Sequence, residues 1–326
     1  MDTPRIERIL CPTDFSPFSS QALRHALSLA RNFGSRLKVV YVIPHVFPGG
    51  ESLYGAAPWL MTPEVRQRAD EDMRRFLEPA RELRVNHEIE IREGDPWREI
   101  RAAAEEMSSD FVVLGTHGRG GLDRLILGSV AEKLIRRLPC PVFTVSHEEG
   151  RTWAAPGLIT RILCATDFSE TSGHALQMAL ALAARYQSEI TLLHVIETLP
   201  DFGDLTYSGV VDVKPLREDL EREARERLDK AALSGGPSAS RIESRAIFGR
   251  PYREILKTAA EERSDLIVIG AQGHGMIEHM LSGSTAQHVI RAATCPVLTV
   301  RRTVDRPRED GRSTGITLAG PTRPRS

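Results

Sequence analysis

Two glycine patterns carry most of the chemistry available to this chain: Gly115-x2-Gly118-x9-Gly128-Ser129 and Gly270-x2-Gly273-x9-Gly283-Ser284. Each follows an apolar run (Phe111, Val112, Val113, Leu114; then Leu266, Ile267, Val268, Ile269) and precedes a segment of helical character. A strand that ends in glycine and feeds a helix N-terminus aims several backbone N–H groups into one concavity. Glycine admits a ligand close to the backbone, and the helix end adds unpaired donors and partial positive charge, so the arrangement suits phosphate. Upstream, Thr13-Asp14 and Thr166-Asp167 close the first apolar run of each half. The two aspartates either meet a ligand in the same crevice or cap the turn that leads into the next helix. The glycines have structural alternatives too: a tight strand exit for the first, a plain helix cap for the last Gly-Ser pair.

The loops between the second and third glycines differ. Arg119 and Arg124 in the first copy are cationic at any pH, whereas His274 and His279 in the second are largely neutral near pH 7. One charge-assisted contact is worth about 1.5–3 kcal/mol, so the sequence predicts tighter anion binding at the first copy.

These motifs belong to a whole-domain duplication. The segment 9–16 (Ile-Leu-Cys-Pro-Thr-Asp-Phe-Ser) recurs at 162–169 as Ile-Leu-Cys-Ala-Thr-Asp-Phe-Ser, an offset of 167 − 14 = 153. Gly94-x-Pro96-x-Arg98-Glu99-Ile100 recurs as Gly249-x-Pro251-x-Arg253-Glu254-Ile255, and Cys140-Pro141-Val142 as Cys295-Pro296-Val297, both now offset by 155. A period near 150 residues is too long for a solenoid unit, so each copy must bury its own core.

Each copy reads as strands alternating with helices. In the first, strands are expected near 6–13, 36–43, 87–92, 111–115 and 141–146, and helices near 18–33, 63–84, 96–107 and 128–138. Asp95-Pro96 has the form of a capping aspartate followed by proline where no N–H is needed. Alternation implies a parallel sheet with right-handed crossovers and helices on both faces, its ligand site at the carboxyl ends of the strands. The expected division is a first domain at 1–146, a linker at 147–158, a second domain at 159–302 and a disordered tail at 303–326. Segments 44–62 and 197–215 are apolar enough to be lids or partner surfaces, and the residues leave both open. The Glu- and Arg-rich stretch from 216 to 233 alternates in sign, as a solvated helix face does.

Composition bounds the function classes. The 326 residues are 41% hydrophobic and 27% charged, with a net charge of −1, which gives no general pull toward nucleic acid or anionic membranes. No apolar run is long enough to span a bilayer, and the charged N-terminus is not a secretory signal, so a cytoplasmic protein is expected. Four cysteines (Cys11, Cys140, Cys164, Cys295) form no CxxC and read as buried core thiols rather than metal ligands.

The ordered set of Pro-Thr-Asp-Phe-Ser, Gly-x-Pro, Gly-x2-Gly-x9-Gly-Ser and Cys-Pro-Val resembles the universal stress protein family, over about residues 5–146 and 160–302. The resemblance implies tandem three-layer α/β/α domains, Rossmann-like and similar to adenine-nucleotide α-hydrolases, each with a five-stranded parallel sheet. It also implies ATP binding, with magnesium carried by the phosphates. On that likeness Thr13, Asp14, Thr166 and Asp167 face adenosine, and backbone at Val42 and Val195 meets the adenine edge. Gly115, Gly118, Arg119, Gly128, Ser129 and Val130 would hold ribose and phosphates, as would Gly270, Gly273, Gly283, Ser284 and Thr285 in the second copy. Members commonly dimerise through the last strand, which here could pair within one chain; further homodimerisation and an unknown protein partner stay open.

Three function classes follow: a nucleotide-dependent stress-response module, a slow ATP hydrolase, or an interaction scaffold with vestigial sites. There is no Gly-x4-Gly-Lys-[Ser/Thr] loop and no kinase signature set, so no dedicated phosphoryl-transfer machinery and no catalytic residues are assigned.

Overall fold

The computed structural model describes residues 4, 6–44, 63–116, 127–146, 158–197, 214–233, 242–271 and 284–301. In the first repeat the order is β1 (Arg8–Thr13), α1 (Pro17–Phe33), β2 (Arg36–Pro44), α2 (Pro63–Phe76), α3 (Glu78–Glu82), β3 (His87–Gly94), α4 (Pro96–Glu106), β4 (Phe111–Gly115), α5 (Ser129–Arg137) and β5 (Val142–Val145). The second repeats it as β6 (Arg161–Ala165), α6 (Glu170–Tyr186), β7 (Glu189–Glu197), α7 (Lys214–Leu233), β8 (Ile242–Gly249), α8 (Pro251–Glu261), β9 (Leu266–Gly270), α9 (Ser284–Ala292) and β10 (Val297–Val300). Residues 147–157 of the linker expected at 147–158 and the tail expected at 303–326 lie outside the described residues, as do 45–62 and 198–213.

Apolar residues on both faces of nearly every central strand require cover on both sides, and alternation along each strand divides the core in two. Ile9, Cys11, Val39, Phe111 and Val113 pack under α1 and α2 in one cluster. Leu10, Val40, Val42, Val112 and Leu114 pack under α4 and α5 in the other. Both clusters run on through the second repeat, where α6 joins the first and α8 and α9 the second. The four thiols lie in these layers, buried and joined in no disulfide, and burial alone pushes Cys11 and Cys164 up to about 12.

The strand order is β3-β2-β1-β4-β5-β10-β9-β6-β7-β8. Pairing is parallel within each repeat, and β5 meets β10 antiparallel, with Phe143 opposite Leu298. The last strands therefore join the repeats into one sheet and remove two apolar edges. Threonines lock the seam reciprocally: Thr144 Oγ1 donates to the Val297 carbonyl at 3.0 Å and Thr299 Oγ1 to the Val142 carbonyl at 3.1 Å. Just past each strand, Ser146 Oγ reaches the Ala293 carbonyl at 3.2 Å and Arg301 Nη2 the Ile135 carbonyl at 2.9 Å. Each repeat thus satisfies carbonyls near the end of the other's last helix.

Two expectations need correction. The helix expected over 63–84 breaks at Leu77 (φ −95°, ψ 9°), because the Pro79 ring would clash with the carbonyl four residues earlier, and the proline opens α3 instead. Asp95 precedes α4, but its side chain makes no cap bond. Its carbonyl accepts the Arg98 and Glu99 N–H groups, while its carboxylate lies 3.7 Å from Arg98 Nε.

Candidate functional site

In each half, the strand order reverses beside the first strand, between β1 and β4 and between β6 and β9. This is the crevice where open α/β sheets take their ligands. Leu10 stands opposite Val112, so the same register (112 − 10 = 102) sets Thr13 level with Gly115. In the second half Ala165 stands opposite Ile269, which sets Thr166 level with Gly270. The sequence-predicted threonine, aspartate and first glycine of each copy therefore meet at one edge.

The strand exit is built by its own side chains. Thr13 Oγ1 accepts the Phe15 N–H at 3.0 Å, and Asp14 Oδ1 accepts the Ser16 N–H at 3.0 Å. Ser16 then caps α1 by accepting the Ser19 N–H at 3.2 Å. The second copy repeats this with Thr166 and Phe168 (3.1 Å), Asp167 and Ser169 (3.0 Å), and Ser169 and Ser172 (3.2 Å). Asp167 Oδ1 also accepts the Ser169 hydroxyl at 2.6 Å. The turn forces Phe15 to φ 63° and Phe168 to φ 62°, a strained region for a bulky residue. Packing holds both rings: Phe15 lies 4.5 Å from Tyr41 and 5.6 Å from Phe76, and Phe168 lies 4.3 Å from His194. The sequence reading missed this clamp. Its signal was present, since Asp-Phe-Ser recurs in both halves with a serine three residues later.

The turn has a consequence on the neighbouring strand. Val40 pairs with Pro12 and Tyr41 with Thr13; one further ladder step would have the Phe15 N–H donate to the Val42 carbonyl. That N–H goes to Thr13 Oγ1 instead, so no ladder donor reaches the Val42 carbonyl from β1. In the second half Thr166 N–H donates to the Leu193 carbonyl at 2.8 Å. The next donor would be Phe168 N–H, which Thr166 Oγ1 has taken. Val195 is thus the counterpart of Val42, and both side chains are buried.

Gly115 is required by close packing. A methyl there would lie 2.8 Å from Phe18 Cβ and 2.9 Å from the Phe18 carbonyl carbon, so the start of α1 could not approach β4. Gly270 is less crowded, with Ser172 N at 3.2 Å. Thr116 follows Gly115, and its carbonyl accepts the Gly128 N–H at 2.8 Å. The chain therefore leaves and re-enters the crevice edge at one point. Gly128 offers no side chain to cap α5, so the N–H groups of Ser129 and Val130 have no intrahelical acceptor. Ser284 and Thr285 are the first residues of α9, and the residue before them lies outside the described residues. Gly118, Arg119, Gly273 and Gly283 lie outside the described residues, as do Arg124, His274 and His279.

The donor set suits a molecule with one anionic end and one neutral, hydrogen-bonding end. Helix N-termini can donate to the first, and the aspartates and the Val42 and Val195 carbonyls can accept hydrogen bonds from the second. Among the described residues no three His, Cys, Asp or Glu side chains come together as a metal cluster. No helix among them is long and apolar enough to cross a membrane.

The sequence model of the universal stress protein family matches residues 5–146 and again 159–301. The chain belongs to the universal stress protein family. A universal stress protein of Methanocaldococcus jannaschii is 35% identical over 141 residues, 43% of this chain and 81% of that protein. One from Mycolicibacterium smegmatis is 28% identical over 305 residues, 90% of this chain and 96% of its own length. Among solved structures, a universal stress protein from Archaeoglobus fulgidus superposes with a TM-score of 0.67 at 23% identity. It covers 93% of this chain and 98% of its own, a likeness of fold. The tandem universal stress protein architecture thus spans the chain from near its start to β10.

Proposed function

We propose that the chain is a stress-response protein that binds one adenine nucleotide in each repeat and uses it to bias a regulatory interaction. The observation that carries this reading is duplicated: beside each switch point the exit turn diverts the ladder amide expected at one main-chain carbonyl (Val42, Val195), and a helix starts at the end of the glycine motif (Ser129, Ser284). An adenine amino group can donate to the first, and phosphates can accept from the second. In this reading Asp14 and Asp167, beside Thr13 and Thr166, take the ribose hydroxyls. Gly115, Gly118, Gly128, Ser129 and Val130 cradle ribose and phosphates in the first site, with Arg119 adding a cation. Gly270, Gly273, Gly283, Ser284 and Thr285 do so in the second. ATP brings charge that changes with its phosphate number, and magnesium travels with those phosphates.

One observation favours a second reading, a scaffold without ligands. Asp14 and Gly115 both have work inside the fold, the one in a turn and the other under Phe18. Measuring adenylates released on denaturing protein purified without added ligand, then titrating the emptied protein with ATP and magnesium, separates the two. Close to two adenylates per chain is the expected result. None, with no heat of binding, would leave the scaffold.

A further inference from the structure

The two crevices differ in what holds the strained phenylalanine. Phe15 is held by Tyr41 and, edge-on, by Phe76. Phe168 is held by His194 at 4.3 Å and by the Arg227 guanidinium, 4.2 Å from the ring centroid. Tyr41 and His194 are repeat equivalents (194 − 41 = 153). Among the described residues, the first clamp therefore contains no imidazole, and the second does.

His194 stands at the centre of the second exit. Its Nδ1–H donates to the Thr166 carbonyl at 2.8 Å. Asp167 faces it from the turn, and Arg227 faces it from α7, itself 3.8 Å from Glu223. Opposite it on β8 is Ala246, which carries no charge. Burial, then Arg227, hold its pKa below the ordinary value, against the pull of the Thr166 carbonyl and Asp167. At neutral pH it is an uncharged aromatic ring packed at a tilt against another.

We propose that His194 is a positioning residue of the second crevice: its neutral ring fixes Phe168 and, through that, the Asp167 turn. Protonation puts a second cation beside Phe168, facing Arg227, and offers Asp167 a new partner in competition with Ser169. Both effects loosen the turn. The second crevice then weakens for its ligand as pH falls below neutrality, while the first does not. The ligand half of this inference rests on the nucleotide reading above; the clamp itself does not.

Two measurements on the full chain test it. Without ligand, the exchange protection of the Phe168 and Ser169 amides, corrected for intrinsic exchange, is compared at pH 7.5 and 5.5 with that of Phe15 and Ser16. Protection should fall at 168 and 169 only, and His194→Tyr should abolish the fall. With ligand, ATP and magnesium are titrated into Asp14→Ala, which leaves the second site, and Asp167→Ala, which leaves the first. Protonation of ATP affects both alike, so the excess loss in Asp14→Ala reports the clamp. It should be several-fold, with a ceiling of about tenfold at pH 5.5 for a histidine of ordinary pKa. Adding His194→Tyr should remove it, and adding Tyr41→His to Asp167→Ala should create it. Equal loss of protection in both turns, or an excess that survives His194→Tyr, would overturn the proposal. If neither aspartate variant binds ATP at pH 7.5, the nucleotide reading fails, and the amide protection still decides the clamp.

Discussion

His25 gives a direct test of how the shared core is built. It lies on α1, 7% exposed, with its ring 5.4 Å from Phe143 of the seam strand β5. Burial alone lowers its pKa from the ordinary 6.5 to about 4. The folded ring is therefore neutral at pH values where the unfolded chain's histidine takes a proton. Stability from this residue is constant above about pH 6.5, falls as pH drops toward 4, and levels off below that. The full effect approaches about 3 kcal/mol, and at pH 5.5 it is about 1 kcal/mol. The replacement comes from the chain itself, since the repeat equivalent is Met178 (178 − 25 = 153), also buried. His25→Met should change stability at pH 7.5 by less than about 1.5 kcal/mol, as volume-conserving swaps do. Urea unfolding at pH 7.5 and 5.5 should then show the wild type losing about 1 kcal/mol more than the variant. Every other titrating group is common to both proteins and cancels. An equal loss in the two would refute the argument that His25 is held neutral by burial.

Further outcomes follow from the crevice and the seam. Gly115→Ala should cost about 1–3 kcal/mol because its methyl meets Phe18 backbone at 2.9 Å, whereas Gly270→Ala, with 3.2 Å contacts, should cost less; denaturant midpoints of the two variants rank them. Thr144→Val leaves the Val297 carbonyl without its buried donor and should cost about 1–3 kcal/mol by the same assay. Thr299→Val should cost a similar amount through the Val142 carbonyl.

What could be read from the sequence, and what could not, divides by the range of the interactions. The strands and most helices declared themselves through apolar period and glycine or proline punctuation, which are local properties. The exit turn did not, although all its residues are contiguous. Its conformation depends on Tyr41 and Phe76, or His194 and Arg227, which are brought to it from other elements. Helix capping failed at Asp95 for a related reason, as the carboxylate lies toward Arg98 rather than a backbone donor. Gly115 reads in the sequence as room for a ligand or as a tight strand exit, and neither reading contains Phe18, 97 positions away in sequence (115 − 18), whose atoms an added methyl would meet. The carbonyls at Val42 and Val195 could be named only from likeness; their geometry comes from a threonine diverting one amide on the adjacent strand.

The antiparallel seam also decides how the two crevices can communicate. Strands run parallel within each repeat, so reversing direction between β5 and β10 turns the carboxyl ends of the two halves toward opposite edges of the sheet. From the β1/β4 switch point to the β9/β6 switch point is four strand spacings, about 19 Å across the sheet. Displacement along the strands adds to that. The distance exceeds twice the screening length of about 8 Å at physiological salt, so charge on one bound nucleotide should not be felt at the other. Packed seam residues such as Phe143 and Leu298 have little room to shift. Two non-interacting sites are therefore expected. Calorimetric titration of the wild type with ATP and magnesium at pH 7.5 should equal the sum of the Asp14→Ala and Asp167→Ala isotherms. A mismatch requiring more than about threefold coupling, roughly 0.7 kcal/mol, would mean that the threonine-locked seam transmits a conformational change instead of insulating the halves.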